Sequence, residues 1–233
     1  MTADAQQTTG FRCIAIETAT AKGTVAACVG DHVFVVRLDT AQGSSRQIYQ
    51  AVNEALERGS IERATLDCIA FGNGPGSFTG VRVATAAAQS LSFALGIPAV
   101  PVSSLAAVAV EAGRTLGAEP IAVCLDARMG EAYLGVYEFA ADGTATPLLA
   151  DRLVDPANFR LPDYGRPVTA AGPGWEAYPG LLEANLGTID KQALSIWPGA
   201  AAIAVEAREL FRQGRHVAPH QALPNYVRNK VTD

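Results

Sequence analysis

The densest chemical signal lies in Gly72-Asn73-Gly74-Pro75-Gly76-Ser77-Phe78-Thr79-Gly80. An apolar run, residues 66–71, leads into it, and a helical stretch with no charge beyond Arg82 opens at Ser77. Glycines at a strand-to-helix turn let the backbone approach a ligand closely, and Ser77 is placed to cap the helix. Bare N–H groups at such a helix start suit a phosphate or another anion. Gly74, Gly76, Ser77, Thr79 and Gly80 are therefore candidates for a nucleotide or phosphate loop, or for an interface loop. The same residues also fit a tight junction with no ligand, and residue types leave both readings open. Three known loops are excluded. No Gly-Lys-Ser/Thr follows, residue 77 is Ser where G-x-G-x-x-G needs Gly, and no Gly-x-Ser-x-Gly is present, since Gly74 and Phe78 stand at the centres of Gly72–Gly76 and Gly76–Gly80.

Glu17 ends another apolar run. A carboxylate at a strand tip can reach a metal-bound water or a nucleotide phosphate, or can simply be solvated. Asp126-Ala127-Arg128-Met129-Gly130-Glu131 sets an arginine between two carboxylates, the pattern of a hairpin held by surface ion pairs. The histidines are His32, His216 and His220. With no H-E-x-x-H, no His/Cys cluster and no Ser-His-Asp order, a protease or metal hydrolase is hard to assemble.

These residues need a frame. The chain has 233 residues, with 18 Lys+Arg against 23 Asp+Glu and a net charge of −5. Its length sets one large domain or two small lobes. At 49% apolar and 18% charged it can pack a core and is no disordered polyelectrolyte. An acidic chain lacks the local Lys/Arg excess that a stand-alone nucleic-acid binder needs. Residues 1–10 lack the basic and apolar regions of a signal peptide and read as a disordered tail. Cys13, Cys28, Cys68 and Cys124 sit in separate apolar runs, as small buried hydrophobes do in a reducing cytoplasm. Residues 83–110 hold no charge and are long enough to span a bilayer, but Gly96, Pro98 and Pro101 break the run. No membrane span is expected, and the location expected is cytoplasmic.

Strands are predicted at residues 11–18, 24–29 and 32–38, then a helix over 46–58 capped by Ser44 or Ser45. A strand at 66–71, a helix over 77–95, a strand at 99–102 and a helix over 105–116 follow. A meander followed by alternating helices and strands is the order of a ribonuclease-H-like half-domain. The second half repeats it in outline, with strands at 121–125, 131–139, 148–154 and 168–171. Asp126 then mirrors Glu17, and Gly172-Pro173-Gly174 mirrors Gly74-Pro75-Gly76, which points to a duplication. A last amphipathic helix runs over 200–211, and residues 219–233 form an irregular tail. The domains are read as an N-terminal lobe, 11–106, and a C-terminal lobe, 107–233, with helix 200–211 free to pack back on the first lobe.

Four segments together resemble the TsaB (YeaZ) family, the bacterial subunit used in making threonylcarbamoyladenosine on tRNA. They are Ile16-Glu17-Thr18-Ala19-Thr20, the run from Phe71 through Gly80 to Val81-Arg82, Asp126 through Glu131 to Ala132-Tyr133, and Pro224-Asn225-Tyr226-Val227-Arg228-Asn229. The resemblance implies an α/β chain of the actin-like ATPase (ASKHA, ribonuclease-H-like) fold, two lobes from a duplicated β-β-β-α-β-α unit. It implies a non-catalytic scaffold that supports the catalytic subunit TsaD, with the ATPase TsaE joining the complex. It also implies a homodimer when alone, tRNA contacted indirectly, no cofactor required, and room for ATP or ADP at the complex interface. Arg208, Arg212, Arg215, Arg228 and Lys230 are left for a secondary RNA contact. The runner-up is a phosphotransferase or nucleotide hydrolase using Glu17 and the 72–80 loop, and a peptidase ranks third.

In the catalytic relative two metal-binding histidines sit four apart on the helix after the strand at 99–102. They correspond here to Ser104 and Val108, which cannot replace two imidazoles, so no catalytic metal is implied. The family usually has Asp where Glu17 stands, and the longer side chain is expected to carry the carboxylate outward. In the family the first two helices of the N-terminal lobe pack against a partner. A helix with no polar stripe reads as buried on all sides. Ala84, Ala87, Ala88 and Leu91 are accordingly expected at the partner interface, unless Ala87 faces its own sheet.

Overall fold

The computed structural model describes residues 10–39, 45–117 and 120–228. The expected tail at residues 1–9, the Ser44 cap, Asn229 and Lys230 lie outside the described residues. In the first half, β1 (Arg12–Glu17), β2 (Thr24–Val29) and β3 (His32–Arg37) form the meander. Then come α1 (Ser45–Gly59), β4 (Cys68–Gly72), α2 (Phe78–Leu95), β5 (Ala99–Val102) and α3 (Ser104–Leu116). The second half holds β6 (Ile121–Asp126), β7 (Ala132–Phe139), β8 (Ala145–Val154) and β9 (Val168–Ala171). It ends with α4 (Gly174–Ala177), α5 (Pro179–Glu183), β10 (Ile189–Ala193) and α6 (Ala200–Arg212).

The two sheets are ordered β3-β2-β1-β4-β5 and β8-β7-β6-β9-β10. In both, the central strand pairs antiparallel with its hairpin partner and parallel with the strand on its other side. The sheet is thus duplicated strand for strand. The outer helices are not: residues 155–167 form no helix where α1 stands in the first half, and the short α4 and α5 replace α2. Sequence reading misses β10, because Ile189-Asp190-Lys191-Gln192-Ala193 is a polar edge strand with one buried apolar side chain.

Each strand of the first sheet sorts its side chains by parity. Cys13, Ala15, Ala26, Cys28, Cys68 and Ala70 face the second lobe. Ile14, Ile16, Val25, Ile69 and Phe71 face α1 and α2. The inward face is made of small residues, which lets a helix approach closely. That helix is α6, which lies across β1, β2, β4 and β5, while α3 lies across β6, β7 and β8 of the other sheet. The lobes therefore exchange helices, and α3 and α6 pack on each other in one core shared by both lobes. The Thr24 hydroxyl of β2 accepts the Ala200 N–H at 2.8 Å and fixes the start of α6. All four cysteines are buried and free. No helix among the described residues is long and apolar enough to cross a membrane.

One buried charge tests this packing. Glu206 of α6 is 6% exposed and accepts the Ala145 N–H. Burial pushes its carboxyl up from 4.5 to about 7. A carboxyl that holds its proton more tightly when folded stabilises fully below the unfolded value, and that contribution is lost as pH rises through the folded value. The loss is on the order of 3 kcal/mol between about pH 5 and pH 8. Urea unfolding of Glu206→Gln is expected to give a flatter pH dependence over that range and higher stability at the alkaline end. Parallel curves for the two proteins would show that Glu206 is not the group responsible.

Candidate functional site: the cleft between the lobes and its loops

The motifs singled out by sequence meet at the mouth between the lobes, around a cleft of about 510 Å³. Residues 19–21 and 75–78 line one side, and residues 125–128 with Tyr133 and Pro173 line the other. Trp197 and residues 225–228 complete it.

Glu17 does not point outward. It is fully buried, and its carboxylate accepts the Ala19 N–H at 2.5 Å and the Ser104 hydroxyl at 2.8 Å. The extra methylene lets the chain fold back beneath Ala19 instead of extending into the cleft. Burial raises the carboxyl's pKa, partly offset by the hydrogen bonds from Ala19 and Ser104. Gly72 leaves the space, since a Cβ there would lie 2.0 Å from the Glu17 carboxylate. Ser104 is thus occupied as a donor to Glu17, and Val108 is sealed in the shared core.

The glycine loop is seated on the β1–β2 turn. A Cβ on Gly80 would lie 1.9 Å from the Thr18 carbonyl oxygen, and one on Gly76 would lie 2.6 Å from Ala19. The Ser77 N–H donates to the Ala19 carbonyl at 2.7 Å, and the Thr18 hydroxyl donates to the Gly80 carbonyl at 2.7 Å. Ser77 Oγ accepts the Gly80 N–H at 3.4 Å, which caps α2 as expected. The Gly74 carbonyl accepts the Ser104 N–H at 2.8 Å. Of the two readings left open by sequence, the tight junction accounts for Gly74, Gly76 and Gly80. Ser77 and Thr79 remain exposed.

Across the cleft, Asp126 accepts the Arg128 N–H and the Tyr178 hydroxyl, both at 2.7 Å, and pairs with the Arg128 guanidinium at 3.2 Å. Glu131 does not share Arg128. Its partner is Arg228, at 2.5 Å, whose guanidinium also reaches the Ala127 carbonyl at 3.2 Å. A partner 97 residues away carries no signal in local spacing. Of the basic residues left for a secondary RNA contact, Arg228, Arg208 and Arg212 are paired with Glu131, Asp31 and Glu209.

The helix-face expectation needs a correction at two positions. Ala84 and Ala88 are fully buried in the core beneath α2, and Leu91 packs against that core, whereas Ala87 packs on the core and also lines a groove on the outer side of the helix. The outer face of α2 carries Arg82, Ala86, Ser90 and Phe93 instead, with Phe93 81% exposed. Tyr49 of α1 joins Phe78, Thr79, Arg82, Val83, Ala86, Ala87 and Ser90 around a shallow groove of about 530 Å³. Beyond Arg82 the helix conceals which face is which, because the contrast between its faces rests on small differences between Ala, Val and Ser.

Two like-ordered sheets that exchange helices around a cleft define a two-lobed α/β protein of the actin-like ATPase fold. Residues 35–231 match the family described as "TsaD: tRNA N6-adenosine threonylcarbamoyltransferase". The tRNA threonylcarbamoyladenosine biosynthesis protein TsaB of Escherichia coli is 30% identical over 95% of this chain and 96% of its own length. The Haemophilus influenzae protein of the same name is 30% identical over 81% of each chain. A crystal structure of YeaZ from Pseudomonas aeruginosa superposes with a TM-score of 0.84 at 30% identity, covering 93% of this chain and 99% of that one. The chain belongs to the TsaB family, within the wider family of TsaD.

An actin-like fold implies a nucleotide between the lobes. The residues here do not fit one. The strand-end carboxylate is spent on Ala19 and Ser104, and the space above Gly76 and Gly80 is filled by the Thr18-Ala19 backbone. Among the described residues, no group of three or more His, Cys, Asp or Glu is placed to hold a metal ion.

If the loop is a packing junction, Gly80→Ala should cost about 3 kcal/mol by overpacking against Thr18. Ser77→Ala should cost about 1 kcal/mol through the lost cap. Denaturant unfolding reads both. A Gly80→Ala protein of unchanged stability would return the loop to the ligand reading.

Proposed function

We propose that this chain is a non-catalytic scaffold subunit of the cytoplasmic machinery that makes threonylcarbamoyladenosine on tRNA. In this reading it binds a TsaD-type catalytic subunit through α1 and α2, with a TsaE-type ATPase joining the assembly, and self-associates through the same face when alone. The tRNA is held mainly by the other subunits. Any ATP or ADP belongs at the interface of the complex. The name shared by the relatives supports the pathway.

The observation that carries the scaffold role is the contrast between the two surfaces. The cleft loops make many of their hydrogen bonds to one another, with the Ser77 and Thr79 side chains left exposed. The outer face of α1 and α2 leaves Tyr49, Phe78, Ala86 and Phe93 exposed with little charge among them. Contiguous exposed apolar surface of this kind is where proteins meet. The competing enzyme reading needs Glu17 free to act, and Glu17 is buried. The peptidase reading needs a nucleophile–histidine pair, whereas His216 is stacked beside Phe211 at 5.3 Å.

Ala86→Glu places a carboxylate on the proposed face while leaving the subunit core untouched. It should leave the unfolding midpoint within about 0.5 kcal/mol of wild type and lower both self-association and TsaD capture at least tenfold. Ala87→Glu should lower association too, and should also destabilise the subunit itself by about 3 kcal/mol or more, because Ala87 packs on the core while lining the groove. Light scattering, pull-down and urea unfolding separate the two. Unchanged association by Ala86→Glu would place the interface elsewhere. Nucleotide hydrolysis by the isolated chain that disappears in Glu17→Gln would favour the enzyme.

A further inference from the structure

The segment after α6 is irregular yet tied down at every step. Val217 bridges to Ala99 at the edge of β5. Ala222 is fully buried in the core beneath α2, and its carbonyl accepts from Gln89 at 2.8 Å. The Asn225 N–H donates to the Asn73 carbonyl at 2.7 Å. Tyr226 accepts from Arg82 Nε at 2.8 Å. Arg228 then crosses to the other lobe, where it holds Glu131, the Ala127 carbonyl and Met129 Sδ. The turn it holds is strained: Arg128 and Met129 have φ of +64° and +55°, a region that residues with a Cβ rarely occupy.

Residues 225–228 are thus a clasp across the cleft mouth, anchored in one lobe by backbone and in the other by one guanidinium. The anchor in the first lobe is shared with the α1–α2 groove. Arg82 lies over the Phe78 ring at 3.6 Å and over the Tyr226 ring at 5.7 Å. Phe78 lines both the cleft and the groove, Tyr226 lines only the cleft, and Arg82 lines only the groove. The three side chains form one wall between the two surfaces. Anything that docks on the groove and reorients Arg82 removes a hydrogen bond and a cation–π contact from the clasp.

We propose that the C-terminal clasp and the α1–α2 face are one coupled device, in which the state of Arg82 at the groove sets how firmly residues 225–228 close the cleft. Partner docking and cleft opening then bias each other reciprocally. The docking half of this statement rests on the scaffold reading; the internal coupling does not.

The chain contains two tryptophans, which makes the test direct. Trp175 is fully buried and hydrogen-bonded to the Ala122 carbonyl, so acrylamide quenching reports Trp197 at the cleft. Arg82→Met, a change in the groove, should raise the quenching constant about twofold or more in the full chain. Arg228→Met, which releases the far anchor directly, should raise it at least as much. If Arg228→Met raises quenching and Arg82→Met leaves it at the wild-type value, the coupling is absent. If neither variant raises quenching while both remain folded by circular dichroism, the clasp itself is wrong. Light scattering on the same samples keeps the docking reading separate: a wild-type chain that stays monomeric and fails to capture TsaD overturns that reading without altering the quenching comparison.

Discussion

The contact on which the structure turns is the seating of the α2 start on the β1–β2 turn. The Thr18 and Ala19 carbonyls approach Gly80 and Ser77 so closely that no side chain fits at position 80. That approach uses the Ser77 N–H, traps the Glu17 carboxylate beneath Ala19, and fixes the rotation of α2 on its sheet. The last effect decides which residues reach solvent.

Around this junction the chain is organised by exchange. Small side chains on the inner sheet face admit α6 from the second half, and α3 from the first half packs on the second sheet. Neither lobe completes its core alone, so the cleft between them has a firm floor and a mouth spanned by the clasp. The loops at the cleft make many of their hydrogen bonds to one another, and apolar residues lie open on the outer face of α1 and α2.

Much of this was legible in the sequence. Short apolar runs separated by turn residues mark the strands of both meanders, Ser77 marks the start of α2 through its capping chemistry, and the repeated acidic strand end with Gly-Pro-Gly announces the duplication. What was illegible has physical causes. β10 is a polar edge strand whose pairing with β9, not its own periodicity, makes it a strand. The exposed face of α2 is hidden because alanine is at home on either side of a helix. The inward turn of Glu17 is hidden because the Ser104 hydroxyl that binds it is 87 residues away. The pairing of Arg228 is hidden likewise, because Glu131 is 97 residues away.

The central claim is that the chain contributes surface and not cleft chemistry. Reconstituted threonylcarbamoyl transfer to tRNA, with TsaD- and TsaE-type subunits and this chain, tests it most directly. The double variant Ser77→Ala/Thr79→Ala removes the two exposed loop hydroxyls and leaves the groove's apolar residues in place. The result expected is that omitting the chain abolishes transfer while the double variant supports the wild-type rate once it is folded and bound. A double variant that assembles normally and fails to support transfer would contradict the claim and return the loop to the chemistry.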